Sequence, residues 1–221
     1  GSNSIENPVW AQNDTIGIYP TSGDQLSFPT VDGVGTSTCI FDGGGWALKA
    51  SSTYTAYSPF NRAYYSRKYN SSLPISMLNQ EQNGNDNTKH LGKYDIQIAK
   101  GQTPENGKIS FAFEHKVCIV RMDLELPVAA SWKSIKLISD ATFTTEATMN
   151  LSTDIPSINA KTYANSITLS LYNVNTTEEN KTITAYMMLL PVDFTGKTLK
   201  IKVSDYYNNN YIADAIIVND N

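Results

Sequence analysis

Apolar and polar residues alternate along much of this chain, and the pattern is most sustained from Lys108 to Leu126. Ile109, Phe111, Phe113, Val117 and Ile119 occupy odd positions; Cys118, Val120, Met122, Leu124 and Leu126 occupy even ones. A strand turns successive side chains to opposite faces, so each set marks a buried face. The sets overlap at residues 117–120. There the buried side must change, or both faces must be covered, as at a bulge or in a strand that leaves one sheet for another. The stretch reads as the long central strand of a β-sandwich.

The rest of the chain supplies shorter strands with turn signals between them. Before the central stretch, strands are expected at Asp14–Tyr19, Cys39–Phe41, Tyr54–Pro59 and Tyr94–Ala99. Asp42-Gly43-Gly44-Gly45 predicts a hairpin into Trp46-Ala47-Leu48, and Asn106-Gly107 a second hairpin turn into the central strand. Leu73, Ile75 and Leu78 suggest a short strand or a turn of helix. Asn79–His90 is almost wholly polar and reads as a loop. Trp132–Ser139 and Thr142–Leu151 are β-compatible. Asp154–Lys161 holds Pro156 without a period and reads as a linker. Strands follow at Ser166–Val174, Lys181–Leu190, Lys197–Ser204 and Tyr211–Val218, with Lys200 and Lys202 on a solvated face. No run of ten residues carries a 3.6 period, so the chain is expected to be all-β. The organisation expected is an N-terminal β-sandwich domain over 1–155 and a C-terminal β domain over 156–221. The second has four strands where a two-sheet sandwich needs about seven. It either packs on the first domain or takes strands from elsewhere; an incomplete sheet offers unpaired N–H and C=O groups to another chain.

Composition narrows the partners. The chain has 221 residues, 40% hydrophobic and 17% charged, with 17 basic and 21 acidic side chains and a formal charge of −4. An acidic chain without a Lys/Arg cluster argues against nucleic acid. Two cysteines, Cys39 and Cys118, make no disulfide framework and read as buried thiols. No apolar run approaches the roughly 20 residues of a membrane span. Gly1-Ser2 reads as a cloning remnant, with room for an export signal removed upstream.

Catalytic patterns do not emerge, and the chain is not expected to be an enzyme. There is no G-x-S-x-G elbow, phosphate loop or dinucleotide fingerprint. His115 lies in the apolar phase and reads as a hydrogen-bonded core residue. His90, drawn with Asp86 and Asp95, could outline a metal site, but a solvated loop histidine is the simpler reading. Asn83–Asn87 lacks the spacing and closing Glu of a calcium loop. Neither a metal nor a cofactor is expected. Two tyrosine groups could meet sugars. Tyr54, Tyr57, Phe60, Tyr64, Tyr65 and Tyr69 crowd one segment, which reads as half core. Tyr206, Tyr207 and Tyr211 flank Asn208-Asn209-Asn210 at a hairpin tip, where rings and amides suit a carbohydrate or an interface. A secreted carbohydrate-binding module is therefore one alternative. A hydrolase on a β scaffold is another, weaker because no nucleophile, base and orienter can be named.

The order of segments resembles the fimbrillin (Mfa-like) family of Bacteroidetes surface proteins. The matching pieces are W-x-x-x-D-x-I-G-I-Y (Trp10–Tyr19), G-W-A-L-x-A-S-S-T-Y-x-A-Y-x-P-F (Gly45–Phe60), Phe111–His115, and Tyr186–Pro191 followed by Gly196–Ile201. The resemblance implies transthyretin-like β-sandwiches in tandem and a pilus or fimbria subunit or adhesin. It implies export to the cell surface, outer-membrane anchoring through a lipid or a partner subunit, and assembly by a strand donated between subunits. Host or bacterial glycans are the other partners it suggests. The sequence starts close to the Trp10 motif and stops before a usual final G-x-x-Y strand, and it carries no lipobox cysteine. The family supplies no catalytic residues to carry over.

Overall fold

A computed structural model describes residues 9–153 and 155–216, apart from the side chain of Arg67. Among these residues the chain is all-β: fourteen strands and three single 3-10 turns, at Arg62–Tyr64, Arg67–Tyr69 and Leu91–Lys93. The absence of an α-helix among them follows from the absence of a 3.6 period. The fold divides into two compact units, each made of three chain segments. Unit 1 takes 1–74, 96–115 and 148–159; unit 2 takes 75–95, 116–147 and 160–221.

Unit 1 is built on one six-stranded sheet. Its strands are β1 (Thr15–Pro20), β2 (Leu26–Asp32), β3 (Ile40–Phe41), β4 (Tyr54–Ser58), β7 (Gln97–Gln102) and β8 (Phe113–His115), in the order β3-β2-β1-β4-β7-β8. All five ladders of this sheet are antiparallel; Ile18 pairs with Leu26 on one side and Ala56 on the other. β2 is a strand the polar look of residues 1–30 concealed. The hairpin expected after Gly43–Gly45 does not form: β3 ends at Phe41 and Trp46–Lys49 lies in no strand. The turn at Asn106-Gly107 does form. Both residues have positive φ (50° and 74°), and Glu105 bridges Lys108, as a type I′ hairpin requires.

Between β4 and β7 lie β5 (Leu73–Ser76) and β6 (Gln80–Asn83). β6 corrects the expected loop over 79–90. It is a strand whose Gln80 and Gln82 are fully buried, and a polar sequence hides such a strand from hydropathy.

The central stretch breaks where its two phases overlap. β8 stays in the unit 1 sheet, and the chain resumes as β9 (Cys118–Glu125) in a different, two-stranded sheet with β12 (Thr182–Leu189). The residue-by-residue change of face is thus a change of sheet. This stretch is not the most buried part of the chain, however. Of its apolar set only Met122 and Leu126 are buried, and Ile119 and Cys118 are exposed. The chain's longest strands are β10 (Ser131–Asn150), which unites the two segments expected at 132–139 and 142–151, and β11 (Ser157–Asn175). The linker expected over 154–161 is correspondingly short: residue 154 lies outside the described residues and 157–161 belong to β11.

Unit 2 sets the β12-β9 pair beside a larger sheet ordered β14-β13-β10-β11-β6, with β13 (Leu199–Asp205) and β14 (Asn210–Asp214); β5 also pairs with β10. Each strand after residue 157 finds its neighbour within the chain. Of the last expected strand, Tyr211–Val218, residues 217 and 218 lie outside the described residues. In β10, Trp132, Ile135, Leu137, Phe143 and Met149 are nearly all enclosed, while Lys133, Asp140 and Glu146 face solvent. Burying side chains of this size stabilises by about 1.5–3 kcal/mol each.

Candidate assembly and contact surfaces

In unit 1 the alternation of β1 and β4 yields two apolar faces with different covers. On one face Gly17, Tyr19, Thr55 and Tyr57 are closed over. Tyr57 accepts from Gln25 Nε2, Tyr19 donates to the Tyr64 carbonyl, and Thr55 Oγ1 donates to Leu151 O at 2.7 Å. Burial holds the Tyr19 and Tyr57 phenols above their usual range. On the other face Ile16, Ile18, Phe28, Tyr54, Ala56 and Ala99 form a cluster covered by Trp10, Leu26, Phe41, Leu48, Ile109, Phe111 and Phe113, each only partly buried. The rings pack edge-on: Trp10 lies 4.9 Å from Phe41 and 5.5 Å from Phe113. Trp46-Ala47-Leu48 and Ile109-Ser110-Phe111 run beside this cover in no strand. Among the described residues none of these six makes a main-chain hydrogen bond to main chain. Both segments have strand-like sequences. Unpaired peptide groups beside a half-covered apolar face are what an added strand satisfies.

Unit 2 treats its strand edges unequally. β12 is buried on both faces, and β9 pairs with one of its edges. The other edge is met by side-chain amides in place of a strand. Gln80 donates to Met188 O (2.6 Å) and accepts from Met188 N (2.8 Å). Gln82 donates to Thr184 O (3.0 Å) and accepts from Tyr186 N (2.9 Å). Asn85 accepts from Thr184 N (2.8 Å). An amide carries the same donor and acceptor as a peptide group, so this row pairs β12 as a strand would. The glutamines come from alternate positions of β6, which places both on one face. The outer edge of β9 has no neighbouring strand among the described residues.

The tip between β13 and β14 is held by Asp205, which is buried. Burial would push its carboxyl up. Bonds from Asn209 N and Nδ2 (both 2.8 Å) and Tyr207 N (2.9 Å) outweigh that and hold it below the usual carboxylate range. Tyr206 is tied down by its hydroxyl, which donates to Leu171 O (3.2 Å), and Tyr211 packs edge-on against Trp132 at 5.6 Å. Tyr207 is left 88% exposed at the apex. In the other tyrosine group Tyr54 and Tyr57 are core and Tyr65 is exposed, half core as expected.

The side chains considered for chemistry have structural roles or lie apart. His90 Nε2 donates to Tyr186 O at 3.0 Å, and burial lowers its pKa. Asp86 accepts from the Tyr186 hydroxyl, whose pKa is pushed up to about 12 by burial and by that carboxylate. His90 is therefore half-buried and bonded, not solvated. His115, expected in the core, is exposed on β8. The cysteines are free, Cys39 half-buried and Cys118 exposed, so neither is a core thiol. His115 ends β8 and Cys118 begins β9, at the point where the chain changes sheets. No group of three His, Cys, Asp or Glu side chains among the described residues could hold a metal ion. The Gln80–Gln82–Asn85 row was not foreseen; glutamines at i and i+2 flanked by Met77-Leu78 were its one signal in the sequence.

Among the described residues, an outer edge of β9 without a strand neighbour, a half-covered apolar face and a pinned hairpin tip mark this all-β protein. The model of the fimbrillin-like family matches residues 3–217, nearly the whole chain, and the chain belongs to that family. The family is one of surface-exposed fimbrial proteins, structural and generally non-enzymatic, whose members assemble with other fimbrial subunits. No curated protein matches the chain. Among the described residues no helix is long and apolar enough to cross a membrane.

Proposed function

We propose that this protein is a non-catalytic, exported subunit of a cell-surface fimbria, joined to its neighbours by strand complementation. The observation that carries the reading is the half-covered face of unit 1. Trp46–Leu48 and Ile109–Phe111 lie there with strand-like sequences and no main-chain partners among the described residues. A strand donated by another subunit would pair with one or both segments and cover Trp10, Phe41 and Phe113. The unit would then approach the two-sheet, transthyretin-like sandwich that the family resemblance implies. Outer-membrane anchoring, through a lipid or a partner subunit, belongs to the same reading.

Hydrogen exchange tests it. In the isolated protein the amides of 46–48 and 109–111 should exchange far faster than those of β1 and β4, and polymerisation should protect them. A synthetic peptide copying residues 1–14 or 208–221 that fills the face should raise the Tm, since it binds only the folded state. Slow exchange of these amides in the monomer, or no protection on assembly, overturns the assignment.

A second reading has its own observation. Tyr207 projects from a tip that Asp205 keeps in one shape, so a flat ring is presented at low entropic cost, as suits stacking on a glycan. A glycan array compared with Tyr207→Ala and Tyr206→Ala variants tests this; equal binding by wild type and variants removes the tip from the function.

A further inference from the structure

The outer face of the larger sheet of unit 2 carries an unusual arrangement of charge. Lys136 on β10 and Lys202 on β13 are directly opposed in register, on strands interior to the sheet. Both point to the solvated face, since Ile135, Leu137 and Val203 beside them are buried. Like charges placed directly across a ladder destabilise it. Neither lysine has an ion-pair or hydrogen-bond partner among the described residues. The next row adds Lys200, which is bonded to Asp214 at 3.1 Å. The other acids of this face are placed elsewhere. Asp140 accepts from Thr198 N and Oγ1 (2.7 and 3.1 Å), Glu146, farther along β10, accepts from Thr162 Oγ1 (2.9 Å), and Glu81 stands on β6, two strands from β10. A chain of net charge −4 therefore keeps an unneutralised pair of cations on this solvated face.

What surrounds the pair identifies its counterpart. Ser134 and Ser204 oppose each other in the adjacent row, and Asn210 pairs with Ser204 across the next ladder. On β11 the residues alternating with buried Ile167, Leu169 and Leu171 are Ser166, Thr168, Ser170 and Tyr172, the last 46% exposed. The face is thus mostly hydroxyls, amides, one ring and paired ammonium groups, with half-buried Ile138 opposite Lys200 and exposed Ile212 on β14 adding a small aliphatic area. That is too little apolar area for the core of a protein interface. Two cations in an acidic chain are too few for the phosphate contacts of nucleic acid. A polymer of sugars bearing carboxylates or sulfates supplies both the hydrogen-bonding edges and the missing charge.

We propose that this face binds an acidic polysaccharide, with an anionic group of the polymer seated between Lys136 and Lys202. The proposal rests on charge and register in unit 2 and is independent of strand complementation and of Tyr207. The test is affinity of the intact protein for polygalacturonate, with neutral dextran and poly-glutamate as comparison polymers. Wild type should bind polygalacturonate in a salt-sensitive way and should not bind dextran. The Lys136→Gln/Lys202→Gln variant should lose at least ten-fold in affinity while its Tm is unchanged or raised, because a repulsion is removed. The Tyr207→Ala variant should retain binding. Undiminished binding by the lysine variant, or no binding by wild type, overturns the proposal. Equal affinity for poly-glutamate overturns the assignment of a glycan in favour of an acidic protein. A lowered Tm in the variant would show the lysines to be structural, and Lys136→Arg/Lys202→Arg, which keeps both charges, must then retain binding for the proposal to stand.

Discussion

Gly17 shows how closely single positions of this chain are specified. A Cβ there would lie 2.2 Å from the Tyr57 ring and 2.7 Å from Gln25 Nε2. Gly17→Ala should therefore force the ring aside and cost about 1–3 kcal/mol, read as a lowered midpoint in chemical denaturation. His90 makes the case for charge. Its Nε2–H is used on Tyr186 O, its Nδ1 is buried without a partner among the described residues, and burial lowers its pKa. The unfolded chain takes up a proton near pH ~6.5, and the folded chain only below that. The neutral ring thus contributes its full stability above that pH and loses it as pH falls through the folded value. Denaturation at pH 7.5 and pH 5 should show this loss, and His90→Gln should shrink the difference between the two. If the variant keeps the whole difference, other groups carry it. At this scale the sequence was a poor guide. His115 and Cys118 sit in an apolar rhythm yet are exposed, because the rhythm belongs to two strands in two sheets.

At the scale of elements, β6 and β12 show what one polar strand can do. Among the described residues β12 has a single strand neighbour, and its other edge is met by Gln80, Gln82 and Asn85. Removing an amide leaves a buried N–H and C=O unpaired, at about 1–3 kcal/mol for each group. Gln80→Ala should therefore destabilise more than a surface Gln→Ala, and Gln80→Leu should not rescue it despite its volume. Recovery with leucine would mean that the site needs bulk and not hydrogen bonds. Hydropathy could not show this strand, since buried glutamine reads as loop. The strands with clean alternation were legible: β1, β4, β12 and β13 lie within a residue or two of their expected places. Trp46–Leu48 and Ile109–Phe111 are the reverse case. Their sequence asks for a strand, but strands exist only in pairs, and the described chain offers them no partner.

At the scale of the molecule, neither unit is a continuous piece of chain, and β10 and β11 each contribute residues to both. The fragment 156–221 should therefore stay unfolded by circular dichroism, since β11, β12 and β13 take their neighbours β6, β9 and β10 from outside it. A cooperative melt from that fragment would refute this. The alternation of apolar residues by itself determined that the chain is all-β, where most strands lie, and that the buried face changes near residues 117–120, because the period of two is a local property of extended backbone. Family membership was also legible in the order of its motifs. Which strands are neighbours, which edge amides close and which lysines stand opposed were decided only by the tertiary structure. Pairing joins residues tens of positions apart, and nothing in a strand's own pattern names the strand beside it.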